Sequence, residues 1–171
     1  VDYKKVCQRL VKCIISKGGE VITKCQVKAI ETEDQIVRVT CQSSVLESDY
    51  LINCAGLHSD RVARLSGSKP EAKIVPFRGE YYELKSRVHH FCRGLIYPVP
   101  DPDFPFLGVH FTRMVSGGVE CGPNAVLALA REGYRKTDIN FRDFFESITY
   151  PGFLRLARKY WRVGLEEMWR S

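Results

Sequence analysis

His110 stands in Gly-Val-His-Phe-Thr, residues 108–112, mid-strand between Val109 and Phe111, and alternation points it to the face opposite both. A neutral imidazole titrates near ambient pH, so it is suited to taking a hydroxyl proton. A structural histidine, hydrogen-bonded within the sheet, fits the same pattern. Arg78, in Phe-Arg-Gly-Glu, carries a fixed charge and a planar fork of donors that matches a carboxylate. The alternative there is an ion pair with Glu80 or Glu83. The third candidate is the stretch Tyr50–Ala63, in which Leu51 and Ile52 predict a short buried strand running into Cys54-Ala55-Gly56 and a helix start. Small residues before a helix N-terminus let backbone approach a ligand, and the helix end offers N–H groups to a phosphate. Ser59 or Asp60 is the expected cap. An ordinary strand-to-helix crossover would look the same. His89 and His90 have no spacing that suggests a metal site.

The elements that must position these residues are legible in outline. Asp2–Lys17 has a helical period through Val6, Leu10, Val11, Ile14 and Ile15, with Asp2 as N-cap and Gly18-Gly19 as the stop. Glu20–Thr23 and Lys24–Glu33 predict strands, Gln35–Gln42 and Ser43–Glu47 a hairpin-like segment, and Ser59–Leu65 a short helix. Pro70, Lys73 and Pro76 mark a change of texture. Beyond it, Ile74–Leu84, Gly94–Pro100 and Phe104–Thr112 predict strands of an antiparallel sheet. Asp101-Pro102-Asp103 and Ser116-Gly117-Gly118 predict turns, and Glu120–Ala125 an irregular approach. Helices broken at Pro151-Gly152 follow. The expected class is α/β (α+β). Residues 1–70 are expected to form a partial nucleotide-binding, Rossmann-like domain, and residues 71–171 an antiparallel-sheet domain. No Gly-x-Gly-x-x-Gly occurs in the chain.

Composition narrows the classes. The 171 residues are 44% hydrophobic and 27% charged, and no apolar run approaches the roughly 20 residues that span a bilayer. Membrane association is left open by the sequence. Net charge is +6, but the cations are scattered and read as solvated helix faces. A basic nucleic-acid binder is disfavoured, because no aromatic-interleaved basic stripe is present. The seven cysteines are odd in number and have no Cys-x-x-Cys pair, which predicts a reducing compartment, no disulfide framework and no zinc site.

Several stretches together resemble a known family. They are Leu-Ile-Asn-Cys-Ala-Gly-Leu at 51–57, Pro-Phe-Arg-Gly-Glu-Tyr-Tyr at 76–82, Leu-Ile-Tyr-Pro-Val-Pro-Asp-Pro at 95–102, Phe-Leu-Gly-Val-His-Phe-Thr at 106–112 and Gly-Pro-Asn-Ala-Val-Leu-Ala at 122–128. The chain is similar to the middle of the L-2-hydroxyglutarate dehydrogenases, FAD-dependent members of the D-amino-acid-oxidase/glycerol-3-phosphate-dehydrogenase-like group. The resemblance implies FAD as cofactor, with Val27 beside the adenine, Cys54, Ala55 and Gly56 near the pyrophosphate and ribose, and Gly79 beside the flavin. It implies Arg78 as carboxylate clamp, His110 as proton acceptor, and Tyr97 and Asn124 in the substrate pocket. It also implies a small 2-hydroxy dicarboxylate substrate, a carrier or quinone as electron acceptor, and a mitochondrial setting. Two other readings remain: a related flavin enzyme acting on an amino acid or glycerol phosphate, and a non-catalytic binding module.

Overall fold

The computed structural model describes residues 1–100, 102 and 108–171. The expected turn at Asp101-Pro102-Asp103 and the first part of the Phe104–Thr112 strand therefore lie largely outside the described residues. Contacts divide the chain between Ile74 and Val75 into two compact units. The α/β (α+β) class is observed: helices combine with two antiparallel sheets.

The first unit opens with α1 (Tyr3–Ser16), whose first turn is closed by Asp2 accepting from the Lys5 N–H at 3.1 Å. Its apolar stripe, Leu10 and Ile15 included, is exposed. Three strands follow as a meander, β1 (Val27–Glu33), β2 (Ile36–Cys41) and β3 (Val45–Ser48). Asp34 and Gln35 join β1 to β2 with φ of 49° and 69°, a two-residue turn whose positive dihedrals match the twist of the flanking strands. Ile30, Val39 and Cys41 form the core, with Cys25, Val27, Val37 and Val62 of α2 (Ser59–Leu65) packed on it. Glu20–Thr23 and Tyr50–Asn53, both expected as strands, are not strands. Nothing among the described residues offers either one a ladder, and Ile52 is exposed.

The second unit is a four-stranded antiparallel sheet in the order β4 (Phe77–Glu83), β7 (Val119–Leu127), β6 (His110–Arg113), β5 (Leu95–Ile96). β7 is its longest strand and pairs with both β4 and β6. It runs through Gly122-Pro123, where the sequence predicted only an irregular segment. A proline cannot donate to a ladder, so the strand survives by shifting register there. Glu80 pairs with Asn124 but Tyr82 with Cys121, so Gly122 and Pro123 together oppose Tyr81. β5 is two residues long rather than the expected seven.

α3 (Phe141–Ile148) is capped by Asn140, which accepts from the Asp143 N–H at 3.1 Å. α4 (Pro151–Arg170) starts on a proline, whose missing N–H costs nothing in a first turn, and kinks at Tyr160. Beneath α3 lies one cation that the charge pattern had assigned to solvent. The Arg131 side chain is 2% exposed and pairs with Glu146 at 3.5 Å, while its N–H donates to Asp143 at 2.8 Å.

Two outcomes follow for stability. Gln35→Gly should raise the urea midpoint, because glycine relieves a left-handed dihedral costing an L-residue about 1 kcal/mol, whereas Gln35→Val should lower it. Asp143→Ala should lower stability by about 1–3 kcal/mol, since it strands a buried donor; circular dichroism against urea measures both.

Candidate functional site

In the first unit, the Leu51–Gly56 segment is exposed extended chain leading into a single 3-10 turn, Gly56–His58, and then α2. Asn53 shapes it. Its Oδ1 accepts from the Ala55 N–H at 3.1 Å, and its Nδ2 donates to the Ser59 carbonyl at 2.8 Å. Sequence reasoning passed over Asn53, although an Asn two residues before a small turn is the usual signal of such a brace. Neither Ser59 nor Asp60 caps α2. His58 occupies the cap position with no side-chain hydrogen bond capping the helix, and the buried Asp60 carboxylate accepts from the Ile74 N–H at 3.4 Å and pairs with Arg64 at 3.5 Å. Gly56 has φ +53°, and a Cβ added there would meet nothing within 4 Å, so the turn backbone is uncovered. Cys54, Ala55 and Gly56 therefore present small side chains and open main chain, which fits close approach by a phosphate or ribose. Val27 opposes Cys41 in the ladder and packs on the core, as a plain strand residue would.

In the second unit, the register shift decides which candidates meet. Alternation along β4 sets Arg78 and Glu80 on one side of the sheet and Gly79 and Tyr81 on the other. Directly opposed residues share a side, so Asn124, across from Glu80, lies with Arg78. His110 lies on the Tyr81 side. Its ring stacks on Tyr97 at 4.5 Å and 17°, and meets the Tyr81 ring edge-on at 6.2 Å and 74°. The structure thus brings His110 and Tyr97 together and leaves Arg78 and Asn124 on the other face. Clamp and base were expected on one substrate; the extra residue at Gly122-Pro123 reverses the side that alternation along β7 would give.

Arg78 is also occupied. Its Nη2 and Nε donate to Glu80 at 2.7 and 3.1 Å, and its Nη1 donates to the Arg135 carbonyl at 3.1 Å. This is the ion-pair alternative that the sequence left open. Burial pushes the Glu80 carboxyl up, but hydrogen bonds from Ser171 and Arg78 and the charges of Arg78 and Lys136 outweigh it and hold the group below its usual range. Asn124 is 5% exposed, and its Nδ2 is buried without a hydrogen-bond partner among the described residues. Gly79 is crowded rather than open. A Cβ there would stand 3.1 Å from the Pro123 side chain and 3.4 Å from the Tyr81 ring, so packing within the sheet leaves a side chain little room.

His110 is the first residue of β6 rather than mid-strand, and is 8% exposed. Its Nδ1 lies 3.3 Å from the Gly108 carbonyl. A carbonyl only accepts, so a hydrogen bond there requires the tautomer with the proton on Nδ1, whose neutral ring keeps its lone pair on Nε2. Tyr81, absent from the sequence-derived candidates, has its hydroxyl pKa raised by burial first and then by Glu120 and Tyr97. It stays a neutral wall of the site. An apolar cavity of about 410 Å³ lies apart from these polar groups, lined by Phe77, Leu127, Phe153, Tyr160 and Trp161 among others. All seven cysteines are free, and no group of three or more metal-ligating side chains occurs among the described residues. No helix among them is long and apolar enough to cross a membrane.

Comparison with known proteins gives a consistent result. An L-2-hydroxyglutarate dehydrogenase from Indibacter alkaliphilus is 47% identical over the whole chain, which covers 43% of that protein. The Escherichia coli K12 protein of the same name is 44% identical, with 41% of it covered. The human L-2-hydroxyglutarate dehydrogenase, mitochondrial, is 40% identical, with 40% covered. The chain thus spans about two fifths of the length of the curated relatives it matches. Residues 1–169 match the family described as FAD dependent oxidoreductase, and the chain belongs to that family.

Proposed function

We propose that this chain is part of an FAD-dependent dehydrogenase that oxidises L-2-hydroxyglutarate to 2-oxoglutarate. The observation that carries the reading is His110, a buried imidazole whose Nδ1 lies 3.3 Å from a carbonyl and whose Nε2 has no hydrogen bond among the described residues. The similar dehydrogenases supply the substrate class.

Oxidation of a 2-hydroxy acid removes a hydride from C2 and a proton from the hydroxyl, leaving a ketone. Hydride acceptance is the chemistry that FAD would supply when bound. His110 Nε2 accepts the hydroxyl proton, and Tyr97, stacked on the imidazole, walls the site. Cys54, Ala55 and Gly56, with their uncovered backbone, and Val27 are the residues that would hold the cofactor's adenosine and pyrophosphate portion. Arg78 and Glu80 serve in this reading as an internal pair that ties β4 to the Arg135 segment, not as a clamp on the same substrate as His110. Asn124 is left as a buried donor on the Arg78 side. Electrons leave through a soluble carrier or a quinone. For a eukaryotic source the same relationship points to mitochondria, the setting printed in the names of the human, bovine and worm relatives.

In the full-length protein, L-2-hydroxyglutarate should bleach the flavin anaerobically, while glycine derivatives and glycerol phosphate should not. His110→Gln should keep the flavin absorbance yet slow bleaching by about 100-fold or more, the scale of a lost general base. Bleaching at the unsubstituted rate would remove His110 from the chemistry. Glu80→Gln separates the two roles of Arg78. The Glu80 pKa is lowered in the folded state, so the pair contributes stability above the unfolded carboxyl pKa, and that contribution is lost as pH falls through the folded value. Glu80→Gln should therefore cost stability at pH 7, flatten the acid limb of the stability curve and leave KM unchanged. A lower KM would instead mean that Glu80 competes with substrate for Arg78.

A further inference from the structure

We propose that Tyr81, seated on Gly122, is a positioning residue that holds the His110 imidazole in the tautomer with Nε2 free. The proposal rests on the reading of His110 as the proton acceptor and adds what keeps that ring ready.

Three ring contacts and one ladder partner define the ring's surroundings among the described residues. The Gly108 carbonyl takes the Nδ1 proton at 3.3 Å, Tyr97 covers one face at 4.5 Å, and Tyr81 presents its ring at 74° and 6.2 Å. The fourth is Gly122, the ladder partner of His110. A Cβ on Gly122 would lie 2.7 Å from the Tyr81 ring and 2.7 Å from the Glu80 carbonyl oxygen, distances that real Cβ atoms do not tolerate. Tyr81 therefore lies directly across Gly122, in the place where the side chain opposite His110 would otherwise stand. The register shift makes this seat, because Gly122 and Pro123 together oppose Tyr81.

The Nδ1 bond is long for a hydrogen bond, near the outer edge of the normal range. By itself it is a weak restraint on the two ring torsions. An edge-on aromatic contact on one side and a stacked one on the other limit rotation about the Cβ–Cγ bond, and so keep Nδ1 towards the Gly108 carbonyl. The contact is between the two rings, so phenylalanine should serve as well. Gly122 has no such substitute, since even alanine must displace either backbone or the Tyr81 ring.

The test uses the full-length enzyme with FAD and compares Tyr81→Leu, Tyr81→Phe, Gly122→Ala and His110→Gln. Imidazole ¹⁵N shifts report the tautomer without any turnover. Rapid anaerobic flavin reduction by L-2-hydroxyglutarate reports the rate. Tyr81→Leu and Gly122→Ala should move the His110 signals towards a tautomer mixture and slow flavin reduction by about tenfold, with KM nearly unchanged and the pH–rate profile displaced. Tyr81→Phe should restore both signals and rate. Tyr81→Leu with unaltered ¹⁵N shifts and pH profile would overturn the proposal, as would failure of Tyr81→Phe to rescue. A His110→Gln enzyme that retains full rate would instead overturn the proton-acceptor role, while the tautomer measurement would still decide the positioning role of Tyr81.

Discussion

The sheet of the second unit depends on one register shift in β7. A nine-residue strand that pairs on both edges needs N–H donors throughout, and Pro123 has none to offer. Setting Gly122 and Pro123 together against Tyr81 removes the need for that donor. It also decides geometry on both sides of the sheet. Before the shift, Glu80 and Asn124 share a side; after it, His110 and Gly122 are opposed on the Tyr81 side. Without the extra residue, alternation would return Arg78 and His110 to one face. The separation of a paired, structural arginine from a caged histidine is thus a consequence of a local backbone requirement at a proline.

The two buried cations show how the unit manages charge. Arg131 is nearly inaccessible, and Arg78 is only 10% exposed at its side chain. Moving a guanidinium away from water is tolerable only if its donors and charge are matched. Arg78 has Glu80 and the Arg135 carbonyl, and Arg131 has Glu146 beside a backbone donor already held by Asp143. Such pairs add little stability relative to well-packed apolar side chains, but they are costly to break. They fix the segment around Arg131–Arg135 against α3 and β4.

What the sequence revealed follows from the range of each signal. α1 with its Asp2 cap, the β2–β3 hairpin, the Ser59–Leu65 helix and the restart at Pro151 all rest on spacing or turn chemistry within a few residues, and all are present. The misses are non-local. Tyr50–Asn53 has strand composition, but strand character belongs to a ladder, and none forms among the described residues. β7 was hidden by a Gly-Pro pair that reads as a break until the shift is known. Alternation correctly set His110 apart from its neighbours, yet no periodicity could name Tyr81, 29 positions earlier, as its partner. Arg78 came with two open readings; the choice needed the distance to Glu80.

The glycines show why residue type alone could not complete the site. Gly56 sits at a positive φ with open space where a side chain would project, so its need is conformational and its surroundings remain free for a ligand. Gly79 and Gly122 have the opposite surroundings, filled by Pro123, Tyr81 and backbone. In sequence Gly56 and Gly79 read as places where the chain narrows for a cofactor, and Gly122 as part of an irregular segment. In the structure only the first leaves such room, while the other two make space for the chain's own aromatic ring. Open space beside the backbone is thus left at Cys54-Ala55-Gly56, while Gly122 admits the Tyr81 ring beside His110.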